Sequence, residues 1–282
     1  MTRATRIVWV GFAAVVAGLS IAAAVIWLLG GRWFIIQTPS MAEYAPVGTF
    51  VLGMPAPFST LRVGQMILFH PPGNTETYFH RIVSLDQGTL NTKGDLNGAP
   101  DPWTLHASDL VGAEALHVVG LGWLFEALPF LLVGGLLTWL VVRTYVRPLW
   151  KFPASILGWS LVISVAAYIL KPFVRAVLIT KTVTHDQATF AVVSTGLFDI
   201  QAHAAHGTTR ALRPGQLGSV HTSWQNLEGQ YLADLAPHLG SWQWGVVIVA
   251  VLAPVLLCTG YALRRPPADT AMSPTPLTND PE

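Results

Sequence analysis

Residues 7–30 read IVWVGFAAVVAGLSIAAAVIWLLG, and residues 31–41 continue GRWFIIQTPSM. The first stretch carries no charge and exceeds the roughly 20 apolar residues that a helix needs to cross a bilayer. Arg3 and Arg6 precede it, as basic residues precede a cleavable leader. The apolar run is longer than a leader's usual core, however, and no small-residue cleavage motif follows before Arg32 and Trp33. It therefore reads as a retained anchor. The string Thr38-Pro39-Ser40-Met41 then falls just beyond the membrane surface.

Composition points the same way. Of 282 residues, 52% are hydrophobic and 11% charged, against about a quarter charged in a soluble globular chain. A net charge of +1 supplies no basic field, so nucleic acid is not expected as a partner. Three further apolar runs reach crossing length, at residues 121–142, 153–170 and 242–263. Basic residues orient them. Arg3 and Arg6 lie in residues 1–6, Arg143, Arg147 and Lys151 crowd the connection 143–152, and Arg264 and Arg265 open the tail 264–282. With these on the cytoplasmic side, residues 31–120 and 171–241 lie outside; Lys171 and Arg175 fall on the side this scheme does not favour. The tail is rich in Pro, Thr and Asp without apolar periodicity and reads as disordered. Cys258 is the single cysteine, which excludes an intramolecular disulfide and any zinc site built from several thiolates.

Both outer segments read as β-rich. In residues 31–120, the runs TFVLG (49–53), MILFH (66–70) and YFHRIV (78–83) are rich in β-branched and aromatic residues, and PPGN (71–74) and DQG (86–88) punctuate them as turns. In residues 171–241, VLITKTV (177–183), ATFAVVS (188–194) and GSVHTS (218–223) are short strands at the spacing of a small sandwich, with a turn at RPGQ (213–216).

The first outer segment also carries Ser40, then His80-Arg81-Ile82-Val83, then Thr92-Lys93-Gly94-Asp95-Leu96-Asn97 with Asp101 close behind. A serine hydroxyl becomes a useful nucleophile when a neighbouring base accepts its proton, and neutral imidazole does this near pH 7. A carboxylate on the other ring nitrogen fixes the tautomer and stabilises the imidazolium. Donors placed for the oxyanion complete such a site.

These strings resemble the signal peptidase I family, in the branch found in archaea, the endoplasmic reticulum and some Gram-positive bacteria. There a Pro-Ser-Met or Ser-x-Ser-Met string follows an N-terminal anchor, His precedes Arg at the base position, and a Lys-Gly-Asp-Asn-Asn string precedes a second acid. The resemblance spans residues 33–125, where Val111-Gly112 and Val119-Gly-Leu-Gly-Trp are similar to the closing strand and the entry into a following span. It implies Ser40 as nucleophile, His80 as general base, and Asp101 or Asp95 as the supporting acid. Asp101 matches the acid that completes the triad, and Asp95 the acid of the Gly-Asp string. Thr38 with the Ser40 amide matches the oxyanion hole, and Met41 a residue beside the substrate cleft. The chain departs from the pattern at Ala42-Glu-Tyr-Ala-Pro46, at Val63-Gly64-Gln65 and at Leu96.

The resemblance implies a mainly β catalytic domain outside the membrane. The apolar runs and the strand spacing of residues 171–241 add four transmembrane helices and a second small β-sandwich-like outer domain. The four apolar runs read as a multi-pass protein of the cell membrane, and the preponderance of Arg over Lys, with many Ala and Gly, points to a GC-rich bacterium. The resemblance implies an enzyme whose site faces the extracytoplasmic side, as in Gram-positive members of the family. Such an enzyme cuts signal peptides from exported preproteins after small-x-small sequences, beside the lipid bilayer and the secretion translocon, with no cofactor and no metal. Two alternatives stand beside it: a peptidase dedicated to a few exported proteins, and a non-catalytic membrane-anchored scaffold on a degenerate peptidase domain. The plainer readings are a turn serine at Ser40, a cross-strand histidine at His80 and turn-forming acids at Asp95 and Asp101. Lys93 reads as a structural or surface residue, the His203–His206 string, with His221 later in the chain, as a solvated loop rather than a metal site, and Glu126 as interfacial.

Overall fold

The computed structural model describes residues 3–263; the expected disordered tail, with Arg264 and Arg265, lies outside the described residues. Helix α1 (Arg3–Leu28) leads almost directly into β1 (Arg32–Ile35). Five more strands follow, β2 (Phe50–Met54), β3 (Met66–Phe69), β4 (Tyr78–Asp86), β5 (Thr89–Lys93) and β6 (Leu110–Val118). They form one antiparallel sheet in the order β1-β2-β6-β3-β4-β5.

All four residues of β3 are buried. Successive side chains point to opposite faces of a strand. Met66 and Leu68 accordingly join Ile36, Met41, Val51 and Phe79 in one cluster, and Ile67 and Phe69 join Leu61, Ile82, Leu90 and Leu105 in another. A sheet covered on both faces explains why the MILF run has no polar alternation. Two expected turns close as written. The Asn74 amide donates to the Pro71 carbonyl at 2.9 Å, and β4 pairs with β5 from Asp86 opposite Thr89. The sequence reading had no strand at β1, which is four residues long and directly follows the anchor. It had only Val111 and Gly112 of β6, whose later half carries Glu114 and His117.

Residues 171–241 supply β7 (Ala176–Thr184), β8 (Gln187–Ser194), β9 (Ile200–Ala204), β10 (Thr209–Leu212), β11 (Leu217–Thr222) and β12 (Ala233–Pro237). They make two three-stranded antiparallel sheets, ordered β10-β9-β12 and β11-β8-β7. Both sheets feed one core containing Phe190, Val192, Ile200, Leu212, Val220 and Tyr231. The histidine string differs from its loop reading: His203 lies on β9, paired opposite Thr209 and Asp234, and His206 alone occupies the turn. Short β9 and β10 carry Gln, His, Thr and Arg on their outward positions, which hides their periodicity. These sheets and the six-stranded sheet belong to one compact unit, which runs through Leu128 and resumes over Ala167–Leu239.

The remaining helices are α2 (Leu121–Tyr145), α3 (Lys151–Leu170) and α4 (Ser241–Leu263). Among the described residues, three segments are long and apolar enough to cross a membrane, namely Leu121–Tyr145, Pro148–Leu170 and Ser241–Leu263, with mean hydropathies of 2.0, 1.8 and 2.5. The described apolar part of α1, Ala13–Leu28, is shorter. The expected connection 143–152 is mostly helical. Arg143 sits in the last turn of α2, where a cation suits the helix dipole, and a 3-10 turn over Pro148–Trp150 runs straight into α3. Lys171 caps α3 in a left-handed conformation (φ 49°) with its amide on the Ala167 carbonyl. In the second unit, α2 and α3 approach through small residues: Gly134 faces Val162, Gly135 faces Trp159 and Gly158 faces Thr138, as apolar helices do when they pack without a hydrophobic driving force.

The doubly covered β3 gives a stability prediction. Phe69→Ala removes a fully buried ring and costs about 3–5 kcal/mol, whereas Val83→Ala, at a side chain 37% exposed, stays within about 0.5 kcal/mol of the original. Thermal unfolding of the detergent-solubilised chain measures both.

Candidate active site

Ser40 sits on a 3-10 turn, Pro39–Met41, between β1 and β2. Proline at the first position presets the turn backbone, and the Ala42 amide closes it onto the Pro39 carbonyl at 2.9 Å. A second turn holds Ser40 from the far side: the Leu96 amide donates to the Ser40 carbonyl at 2.9 Å, and the Asn97 amide to the Gly94 carbonyl at 2.9 Å. Gly94 is where these two turns touch. A β-carbon there would lie 3.0 Å from Ser40 Cβ and 2.8 Å from Asn97 Nδ2, so a larger residue would press on both Ser40 and Asn97.

His80 projects from β4, on the face shared with Ile82, and is 4% exposed. Its Nε2 is 3.0 Å from Ser40 Oγ, and its Nδ1 is 2.7 Å from Asp101 Oδ2. Asp101, 9% exposed, also accepts a 2.7 Å hydrogen bond from Thr92 Oγ1. The Asp101 amide donates to the Thr92 carbonyl at 2.8 Å. With Nδ1–H donated to the carboxylate, Nε2 is left as the acceptor that faces the serine hydroxyl. Thr92 was missed from the sequence; its place on the inward face of β5, within the Thr-Lys-Gly-Asp string, was the available signal.

The structure separates the two acids. Asp95 faces away from His80 and takes a two-pronged ion pair from Arg81, Nε to Oδ1 at 2.8 Å and Nη2 to Oδ2 at 2.7 Å. The Arg81 guanidinium stays charged more firmly than usual because Asp95 accepts its hydrogen bonds. It also donates to the Gly64 carbonyl at 3.0 Å and lies over the Tyr44 ring. The Tyr44 phenol donates to Glu114, which also pairs with His117 at 2.6 Å. Burial, and then the Glu114 carboxylate, push the Tyr44 pKa up to about 12.

Thr38 Oγ1 is 3.4 Å from Ser40 Oγ, and among the described residues the Ser40 amide donates to no carbonyl. Met41 is almost wholly buried, its sulfur receiving the Asp95 amide at 3.4 Å. Ser40, Thr38, Met41, Phe79, His80 and Asn97 all border a cavity of about 610 Å3, flanked by residues 34–38 on one side and 76–80 on the other. Lys93 pairs with Arg81 across the sheet and makes no hydrogen bond to the serine or histidine. His203 and His221 bond to Thr209 and Thr189 respectively, and among the described residues no three His, Cys, Asp or Glu side chains gather as metal ligands. Glu126 is half-buried and borders a separate cavity of about 300 Å3 with Arg175.

Scanned against protein-family models the chain matches none, and a search of curated proteins finds no match either. The arrangement itself can do one thing well, which is to draw a proton from Ser40 and hold the imidazolium that results. The two acids then differ in a measurable way. In the hydrolase reading proposed below, Asp101→Ala lowers kcat for peptide hydrolysis by about 10³–10⁴-fold. Asp95→Ala, which breaks only a partly exposed ion pair, lowers thermal stability by at most about 1 kcal/mol and leaves the chemistry of the Ser40–His80 pair in place.

Proposed function

We propose that the chain is a membrane-bound serine endopeptidase that removes N-terminal signal peptides from exported preproteins. The observation that carries this reading is the relay from Ser40 through His80 to buried Asp101, opening on the cleft between residues 34–38 and 76–80. Ser40 Oγ attacks the scissile carbonyl while His80 Nε2 takes its proton. The imidazolium, held by Asp101, returns that proton to the leaving amine. Water then enters, His80 deprotonates it, and the acyl–Ser40 ester is hydrolysed. The Ser40 amide, which donates to no carbonyl among the described residues, and the Thr38 hydroxyl are the donors for the tetrahedral oxyanion.

Substrate class follows from the cleft and the membrane. Ile36, Met41, Leu68 and Phe79 fill the cleft floor, which favours small side chains next to the scissile bond and cutting after small-x-small sequences. In this reading α1 is a fourth crossing, and the basic residues before it and between α2 and α3 face the cytoplasm. The site then stands on the extracytoplasmic surface, where a translocated signal peptide leaves the translocon for the bilayer. The resemblance of the Pro-Ser-Met, His-Arg and Lys-Gly-Asp strings to signal peptidase I supports the same assignment.

Purified chain in detergent or liposomes, given a labelled preprotein, yields the mature product and the free signal peptide. Ser40→Ala and His80→Ala each lower the rate by about 10⁴–10⁶-fold. Processing by both variants at the original rate would remove the peptidase reading.

A further inference from the structure

Between the nucleophile and β2 the chain makes a tight detour. Met41, Ala42 and Ala45 are at most 1% exposed, the Ala45 amide bonds the Met41 carbonyl at 2.7 Å, and Glu43 is left-handed (φ 72°). A bulky residue holds such a backbone only where its surroundings over-determine it. On one side the detour is tied through Tyr44 to Glu114. On the other lies a segment that contributes nothing to the cleft, the turn Arg213-Pro214-Gly215-Gln216 between β10 and β11.

Gly215 (φ 78°) is seated so closely that a β-carbon on it would fall 2.7 Å from Pro46 Cγ and 3.0 Å from the Glu43 nitrogen. The turn is itself firmly fixed. Gln216 N bonds Arg213 O at 2.9 Å, Gly215 N bonds Ser194 O at 2.9 Å, and Ser194 N bonds Gln216 O at 3.1 Å. The Gln216 side chain closes the turn again by accepting from the Arg213 amide at 3.0 Å. A second contact lies nearby in the chain, where Leu197 packs against Gly120 just ahead of α2.

We propose that the 171–241 domain is a clamp on the nucleophile's loop, with the Arg213–Gln216 turn as its jaw and Gly215 as a positioning residue for Ser40. This rests on the serine peptidase reading above. Glu43 stands three residues from Ser40, so an outward shift of the detour is passed along two short turns to the hydroxyl. Misplacement of reacting groups by about 1 Å costs on the order of 100-fold in rate. The domain thereby acts on turnover without touching substrate.

The test uses the full chain and a labelled peptide substrate. Gly215→Ala is expected to lower kcat by about 10–100-fold with KM unchanged. Adding Pro46→Gly, which removes the ring carbons that the new methyl meets, restores most of kcat relative to Pro46→Gly alone. Gly229→Ala is the control. It has the same left-handed backbone (φ 73°), but the nearest atom to its β-carbon is Gln225 Oε1 at 3.7 Å, so kcat stays within about twofold, as for surface changes away from any packed contact. Cutting after Glu43 by a glutamate-specific protease reads the clamp without turnover and is faster in Gly215→Ala than in the original chain. Gly215→Asn, which tolerates the left-handed backbone, replaces the alanine variant if that does not fold. Unchanged kcat and unchanged protection of Glu43 overturn the clamp, as does a loss that Pro46→Gly leaves unrepaired. An original chain that fails to cut, or a Ser40→Ala chain that cuts normally, overturns the peptidase reading instead, and protection at Glu43 then still decides the clamp.

Discussion

The hydrogen bond from His80 Nδ1 to Asp101 Oδ2, 2.7 Å long and buried at both ends, is the constraint around which the six-stranded sheet is arranged. A buried carboxylate is costly unless its lone pairs are met, and this one is met by the imidazole and by Thr92 Oγ1. Those partners come from adjacent strands, β4 and β5, and Asp101 is brought back to them by its own amide on the Thr92 carbonyl. The pairing of β4 with β5 thus does two things at once: it completes a sheet edge, and it leaves His80 Nε2 free to face Ser40.

Around that relay lies a second polar system that does not enter it. Arg81 follows His80 on β4 and so points to the opposite face, where it meets Asp95, Tyr44 and the Gly64 carbonyl. Asp95 and Leu96 in turn touch Met41 and Ser40 through their backbone amides. One face of β4 carries His80 toward Ser40, and the other carries Arg81 toward Asp95, whose backbone, with that of Leu96, meets the Ser40 turn. Together with the contact of Gly215 on Pro46, this leaves the Ser40 turn held from three directions by groups that are themselves tied down.

Much of this was legible in the sequence, for identifiable reasons. The strands MILF, YFHRIV and ATFAVVS carry enough apolar and β-branched residues to declare themselves, and the Pro-Gly and Gln-Gly turns mark their ends. Ser40, His80 and Asp101 could be nominated because each sits in a short string of a recognisable kind. What could not be read was which acid faces the imidazole. Asp95 turns to Arg81, whereas Asp101 is drawn to His80 by its own amide on the Thr92 carbonyl, a backbone contact with no one-dimensional signature. Strands β9 and β10 were hidden because they are short and their outward positions are largely polar, and β12 because it is five residues long, exposed throughout and ends on Pro237. Among the described residues, three helices have the length and apolarity of a crossing, and the described apolar stretch of α1 is shorter.

The central claim is that Ser40, activated through His80 and Asp101, forms a covalent bond to its substrate. The most direct measurement is acid quenching of the chain during turnover of a preprotein peptide, followed by mass spectrometry of the proteolytic fragment that contains Ser40. The account predicts an added mass equal to the acyl half of the peptide, esterified to Ser40 and lost in Ser40→Ala. Turnover with no adduct on that fragment, at a rate that Ser40→Ala leaves unchanged, would contradict it.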